Sequence, residues 1–479
     1  MIGRKKEAKE LDDLYSSSKA ELVAIYGRRR VGKTYLVNEV FGDRFAFKHT
    51  GLSPAEIKGT GVLRAQLDHF YLSLKEYGLT GEKRPSDWLE AFFLLRKLLR
   101  QKDDGNRQIV FIDELPWLDT PRSGFITGFE SFWNGWGNSR HNLMVIVCGS
   151  ATSWMKDKLI NNYGGLYGRV TYEIRLSPFN FYETELFFKE KGVNFSRYDI
   201  AESYMIIGGI PYYLGYFNRS LSLAQNIDEI FFKEHAKLEN EYNRLFNSIF
   251  TNPEHIKAIV ELLGKKRMGY TKGEIANKLG VSNNGDLTKS LNALEASDFI
   301  IRYVPFGYSG KLIHYKLIDP FCLFHIHFMI AKGDCSAKYW SENLSSQQIV
   351  SWKGFAFENV CFQHIEQIKS ALSISGISSS LSAWSPKGDD GKDGTQIDML
   401  INRADNIVNL CEIKYYGDTF SVDKKLYMAM IHRINMLEQA LPAKKSVRST
   451  LITTYGIKRN EYSNIFTNVI TLDDLYRSS

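Results

Sequence analysis

Short β-rich runs alternate with longer amphipathic stretches over the first third of the chain. The runs at 22–26, 108–113 and 143–148 have the length and apolar character of strands buried on both faces. Helix-length segments separate them, so residues 1–176 are expected to form a parallel sheet with crossover helices. From 177 to 247 the pattern turns helical, broken at Gly208-Gly209-Ile210-Pro211. Residues 248–320 read as three helices and a two-stranded wing. Ile256, Ile259, Val260 and Leu263 recur at helical spacing, further helices are expected at 271–280 and 286–296, and strands at 299–304 and 311–317 flank a turn at 307–310. An aromatic helical connector fills 321–350. A second α/β pattern fills 351–479, with a helix beginning at Gly354, strands at 396–401 and 407–416, and a helix within 421–440. The polar, glycine-rich stretch 385–395 (SPKGDDGKDGT) reads as a loop beside a site.

Composition narrows the class. The chain has 479 residues, 44% hydrophobic and 24% charged, enough for several buried cores and incompatible with long disorder or a collagen-like fibre. No apolar run is long enough to span a membrane, and the polar start from Met1 to Glu10 is not a secretory signal, so no membrane partner is expected. Five scattered cysteines (Cys148, Cys322, Cys335, Cys361, Cys411) form no CxxC pair and read as buried, reduced thiols of a cytoplasmic protein. The charge, 61 Lys+Arg against 54 Asp+Glu or +7, permits nucleic-acid binding without requiring it.

The strongest chemical signal follows the first strand. Gly27-Arg28-Arg29-Arg30-Val31-Gly32-Lys33-Thr34 fits G-x-x-x-x-G-K-[ST], and Tyr35 continues into a helix. Glycines let backbone N–H groups close on phosphate oxygens, and the new helix aims its positive end at the same anion. In this Walker A pattern Gly27, Arg30, Val31, Gly32, Lys33, Thr34 and Tyr35 are the candidate ATP-binding residues. Lys33 would bridge the outer phosphates, and the Thr34 hydroxyl would bind Mg²⁺. A second apolar strand ends in Asp113-Glu114, the Walker B pattern. Asp113 would hold the metal through water and Glu114 would orient or deprotonate the attacking water.

These motifs occur in order with Ile2-Gly3-Arg4 and Glu7, Asp113–Leu118 (DELPWL), Cys148-Gly149-Ser150, Tyr167-Gly168-Arg169 and Gly208-Gly209-Ile210-Pro211-Tyr212. The series, over about the first 215 residues, resembles the archaeal and bacterial P-loop ATPases of the AAA+/STAND superfamily, whose members often carry a winged helix and a further C-terminal domain. The resemblance implies a sensor role for Ser150 near the γ-phosphate. It also implies a transition-state role for Arg169, within the chain or on a neighbour through self-association, and a loop at Pro211 that closes over the base. Each has a plain structural alternative: a helix cap, a surface ion pair and a helix-breaking turn. Arg28 to Arg30 either add to phosphate attraction or contact solvent or a partner.

The pattern at 248–320 resembles a winged helix. Its exposed candidates for reading bases, Asn283, Asn284, Lys289 and Asn292, are offset by Asp286 and Glu295, which favours a structural or regulatory arm over sequence-specific DNA reading. In 351–479, Asp398 alternates with Ile397 and Met399 in one strand, while Glu412 and Lys414 lie two apart in the next and share a face. With Glu358 arriving from a helix, Glu358, Asp398 and Glu412 would hold Mg²⁺, and Lys414 would position water or steady developing charge. This resembles the PD-(D/E)xK nuclease-like fold, although Gln396-Ile397 stands where the motif has its proline. Lys424, Lys425 and Arg433 face a phosphate backbone or solvent.

The whole reads as a multidomain α/β protein. It comprises a P-loop NTPase core (1–176), a helical lid (177–247), a winged helix (248–320), a helical connector (321–350) and a restriction-endonuclease-like PD-(D/E)xK domain (351–479). Its expected role is an Mg²⁺-dependent ATP-hydrolysing switch acting on DNA or RNA. The alternative is an ATP-dependent regulatory switch that binds a protein partner and has an inactive C-terminal domain.

Overall fold

The computed structural model describes residues 2–54, 56–57, 61–161, 163–250, 252–306, 312–330, 336–384 and 397–477. The chain divides into two compact units. One is 1–178 with 243–253, and the other is 179–242 with 254–479.

The first unit is built on five strands: β1 (Glu21–Tyr26), β2 (Phe45–Thr50), β3 (Gln108–Asp113), β4 (Leu143–Gly149) and β5 (Tyr172–Arg175). All pair in parallel, in the order β2-β3-β4-β1-β5. Every residue of β1, β3 and β4 is buried, which is why these runs lack polar alternation. Because β4 lies between β1 and β3, the residue that ends β4 falls between the loop after β1 and the acids after β3. Helices Val62–Glu76, Trp88–Gln101 and Phe125–Gly135 contribute an aromatic core in which Phe92 packs against Phe70, Trp88 and Phe125. Gly128 allows the close helix crossing, since a Cβ there would meet the Trp88 carbonyl at 2.9 Å.

In the second unit, helices Pro253–Leu263, Lys272–Leu279 and Gly285–Ala296 accompany a small antiparallel sheet of β6 (Tyr270–Thr271), β8 (His314–Leu317) and β7 (Ile300–Tyr303), in that spatial order. Thr271 and Glu274 form a reciprocal capping box, and Gly280 ends that helix in the left-handed conformation at φ +65°. Strand β6 was not foreseen, and the expected turn at 307–310 lies outside the described residues.

The larger sheet of this unit contains β9 (Ser379–Trp384), β10 (Ile397–Arg403), β11 (Ile407–Lys414), β13 (Ser446–Thr453) and β15 (Asn468–Thr471). A two-stranded pair, β12 (Phe420–Ser421) with β14 (Ile457–Lys458), flanks it. Strands β9, β10 and β11 are antiparallel neighbours, whereas β11, β13 and β15 run parallel, with helix Lys424–Ala440 crossing between β11 and β13. Helix Gln347–Gln363 starts well before the expected Gly354, so Glu358 sits in its interior and is buried rather than flanking an apolar face. Gln396 and the loop 385–395 lie outside the described residues.

The helical segment 179–242 belongs to this second unit through specific buried contacts. His364 Nε2 accepts the Phe181 backbone N–H at 3.0 Å, and the two rings stack at 4.2 Å. Lys353 pairs with Glu202 at 2.8 Å, and Tyr198 stacks on Tyr415 at 4.8 Å. Residues 243–253 fall within the first unit, whereas the expected lid ran to 247. Cys148, Cys322, Cys361 and Cys411 are buried free thiols, as expected, and Cys335 is outside the described residues. No helix among the described residues is long and apolar enough to cross a membrane.

Candidate functional site

The loop after β1 is shaped by positive φ angles at Gly27 (+147°), Arg30 (+71°) and Gly32 (+95°). Gly27 cannot be replaced without a shift, because a Cβ there would lie 2.1 Å from the Leu176 carbonyl oxygen at the end of β5. Helix Lys33–Phe41 begins at Gly32 with no side-chain cap, so its positive N-terminal end points at the loop, where an anion is favoured. Val31 is buried under the loop, and Tyr35 is exposed. Arg4 donates to Val31 O at 3.3 Å and Ser177 O at 2.5 Å, tying the loop to the end of the unit. This explains the early Gly-Arg motif, whose bracing role was not legible from spacing.

Lys33 is buried. Its Nζ donates to Gly27 O, Arg28 O and Ser150 Oγ, each at 3.0 Å. Burial lowers its pKa, while Glu114 and Asp113 pull the other way. Thr34 Oγ1 donates to Asp113 Oδ2 at 2.7 Å. Burial and neighbouring Glu114 push the Asp113 carboxyl up, opposed by Thr34 and Lys33. Glu114 has φ +47° and precedes a short turn, Leu115–Trp117, in which Pro116 is the second residue. Gly149 is bare because Met155 Sδ and Pro116 occupy the space its Cβ would need, at 2.7 and 2.8 Å. That close approach brings Ser150 to Glu114: the hydroxyl donates to Oε1 at 2.7 Å and the backbone N–H to Oε2 at 3.1 Å. Ser150 thus links Lys33 to Glu114. Of the three arginines, Arg28 is buried and Arg29 lies over the Trp117 ring at 5.8 Å. Arg169 is exposed on the turn before β5.

The hydroxyl of Thr34 and the carboxylate of Asp113 are hard oxygen donors side by side, and this set fits Mg²⁺. The pattern can hold a polyanion at the loop, a hard cation beside it and a water near Glu114.

The second charged cluster lies in the other unit. Met399 pairs with Cys411 in the antiparallel β10–β11 ladder, so Asp398 and Glu412 fall opposite each other on one face. Glu412 is buried, with Oε1 2.7 Å from Lys414 Nζ and Oε2 2.6 Å from Arg433 Nη1. Glu358 Oε1 lies 3.5 Å from Arg267 Nη1. Burial and the charges of Glu358 and Glu412 push the Asp398 carboxyl up to about 8. Burial also raises Glu358, opposed by Lys316, Arg267 and Lys414. Lys316 is itself buried, which lowers its pKa, and Glu358 and Asp398 draw it back.

The four residues expected here are therefore gathered, but with cations that the sequence reading did not include. Arg433, 13% exposed, is bonded to Glu412, because helix Lys424–Ala440 crosses over β11. Arg267 and Lys316 come from the segment of three helices and a small sheet, and no spacing signal links them to residues 351–479. As folded, the carboxylates do not fit a divalent metal. Both oxygens of Glu412 are taken, and among the described residues no group of three His, Cys, Asp or Glu is placed to hold one. On the helix Gly285–Ala296, the Asn284 side chain caps the helix and Lys289 pairs with Asp286 at 3.5 Å, which thins the expected basic face further.

Residues 1–217 match the model of a family described as an ATPase domain predominantly from Archaea. A curated relative, an uncharacterized protein of Methanocaldococcus jannaschii, is 25% identical over 441 residues, covering 91% of this chain and 92% of its own. Among solved structures, the Walker-type ATPase of Pyrococcus abyssi aligns at 18% identity over 68% of this chain and 96% of that one, with a TM-score of 0.46. The ORC2 protein of Aeropyrum pernix, solved as ADPNP–ADP complexes, aligns at 13% identity over 68% of this chain and 93% of that one, with a TM-score of 0.42. The match over residues 1–217 supports ATP binding and hydrolysis as the chemistry of this part of the chain.

Proposed function

We propose that the protein is an Mg²⁺-dependent switch of the AAA+/STAND kind, in which ATP turnover in the first unit governs a winged helix at 248–320 and a nuclease-like module at 351–479 acting on nucleic acid. The observation that carries the reading is the connected set Thr34–Asp113 and Lys33–Ser150–Glu114. Backbone N–H groups after Gly32 and the Lys33 ammonium would hold the phosphates. Thr34 and Asp113 would hold Mg²⁺, which supplies charge neutralisation when bound. Glu114 would orient the attacking water and take its proton, with Ser150 setting the direction of the carboxylate. Arg169, exposed on its turn, would add positive charge to the transition state, within its own chain or on a neighbouring copy.

The winged-helix reading is supported by the order helix, short strand, two helices and two strands across 253–317. The nuclease-like reading is supported by the mixed sheet and by Asp398, Glu412 and Lys414 on neighbouring strands. Arg433 and Arg267 on the carboxylates favour the second reading, a regulatory switch for a protein partner with a C-terminal domain that does not cleave. The test is to incubate full-length protein with ATP, Mg²⁺ and DNA or RNA. The first reading expects degradation that disappears in Asp398→Ala and Lys414→Ala. ATP turnover without nucleic-acid binding at low salt would establish the second.

A further inference from the structure

We infer that the turn at 163–169 in the first unit is a stacking platform for single-stranded nucleic acid, on which Tyr163 and Tyr167 receive bases while Lys156 and Lys158 meet the strand's phosphates. The inference rests on the reading that the protein acts on nucleic acid, and it assigns that contact to the unit that carries the phosphate loop.

Tyr163 is 97% exposed and Tyr167 71%, the two highest values among the large hydrophobic side chains of the described residues. The turn that carries them is nonetheless fastened. Leu166, between them, is fully buried in the core of the first unit. Gly165 O accepts from Asn134 Nδ2 at 2.7 Å. The Tyr167 N–H donates to Gly164 O and the Arg169 N–H to Leu166 O, each at 3.1 Å, and Gly168 takes φ +63°. The backbone is therefore held while both rings stand in water. Burying an aromatic ring stabilises a fold, and these two forgo that gain in the free chain.

The charge around the rings selects the occupant. Lys156 and Lys158 on the helical turn Met155–Ile160, with Arg169 at the far end, outnumber Asp157, the one acid within 156–169. Bases stack on aromatic faces whatever their sequence, and backbone phosphates follow neighbouring cations. A single strand offers unpaired base faces, whereas a duplex keeps its faces stacked inside and offers mainly phosphates. A stable protein interface would need a broad apolar core around the rings. The residues that flank them in sequence are instead Asn161, Gly164 and Gly168, all exposed.

The test follows the fluorescence anisotropy of labelled oligothymidylate and oligouridylate, each about 20 nucleotides long, and of a duplex of equal length, titrated with full-length protein at low salt. Wild type is expected to bind the single strands more tightly than the duplex, and whichever strand binds better identifies DNA or RNA as the occupant. Tyr163→Ala/Tyr167→Ala is expected to weaken single-strand binding by about ten-fold or more, with retention of ATP unchanged as the check on folding. Tyr163→Phe/Tyr167→Phe, which keeps both rings, is expected to stay near wild type. Equal single-strand affinity of wild type and the double alanine variant would overturn the platform and leave the nucleic-acid reading standing, as would duplex binding as tight as single-strand binding. Altered sedimentation of the alanine variant with strand affinity intact would make the turn a protein interface and overturn the platform as well. Binding of neither single strand nor duplex by wild type would overturn both.

Discussion

Ser150 holds Glu114 with two hydrogen bonds, from its hydroxyl at 2.7 Å and its backbone N–H at 3.1 Å. The same hydroxyl accepts from Lys33 at 3.0 Å, so the residue that would bind phosphate and the residue that would handle water share one intermediary. Glu114→Gln keeps the shape of this contact but removes the base. Its ATP turnover is expected to fall by about a hundred-fold or more while ATP is retained. Ser150→Ala is expected to lower turnover by about ten-fold with binding nearly unchanged, since it removes one positioning contact. Steady-state turnover and retention of labelled ATP on both variants check this; unchanged turnover in Glu114→Gln would count against a water-handling role.

Gly27 has no room for a side chain. A methyl group would sit 2.1 Å from Leu176 O, on a residue already at φ +147°. Gly27→Ala is expected to displace the loop, abolish detectable ATP binding and cost about 2 kcal/mol or more of stability. Calorimetric titration with ATP and thermal melting of the same sample measure the two effects. Gly61→Ala, where nothing lies within 4 Å, is the matched control.

Stability should peak near neutral to mildly acidic pH, for opposing reasons. Burial lowers His49 to about 3 and His325 and His364 to about 4. Their unfolded forms bind protons first, so the stability they confer is present above about 6.5 and is lost as pH falls toward those values, by up to about 1.4 kcal/mol per pH unit for each. Asp398, raised from 3.8 to about 8, acts oppositely: between those values only the folded state holds the proton, so its contribution falls steadily as pH rises across that window and is gone above 8. Melting curves from pH 4 to 9 are expected to fall on both sides. Asp398→Asn should flatten the fall between about 6.5 and 8 and steepen the fall on the acid side, where Asp398 opposes the histidines.

Arg169 is exposed on the turn before β5, and the proposed function gives it a transition-state role within its own chain or on a neighbouring copy. Arg169→Ala alone is expected to lose most ATP turnover while still binding ATP. Mixing it with Lys33→Ala, which lacks a phosphate ligand but keeps Arg169, should restore part of the activity. Two inactive variants that stay inactive when mixed would assign Arg169 to its own chain or to the surface.

The phosphate loop, the acids after β3 and the parallel character of the first sheet were legible because they depend on local order. A glycine pattern between a strand and a helix, and fully apolar strands, need no distant partner to be recognised. Asp398, Glu412 and Lys414 could likewise be placed on one face from strand periodicity alone. What could not be read were the interactions made by residues far apart in the chain. Leu176 makes Gly27 obligatory, Pro116 makes Gly149 obligatory, and Arg267, Lys316 and Arg433 neutralise carboxylates on other elements. Sequence alone therefore determined which chemical groups the protein owns and which local turns present them. Tertiary structure decided which charges face one another, because burial removes water and leaves each ion to the partners that packing delivers.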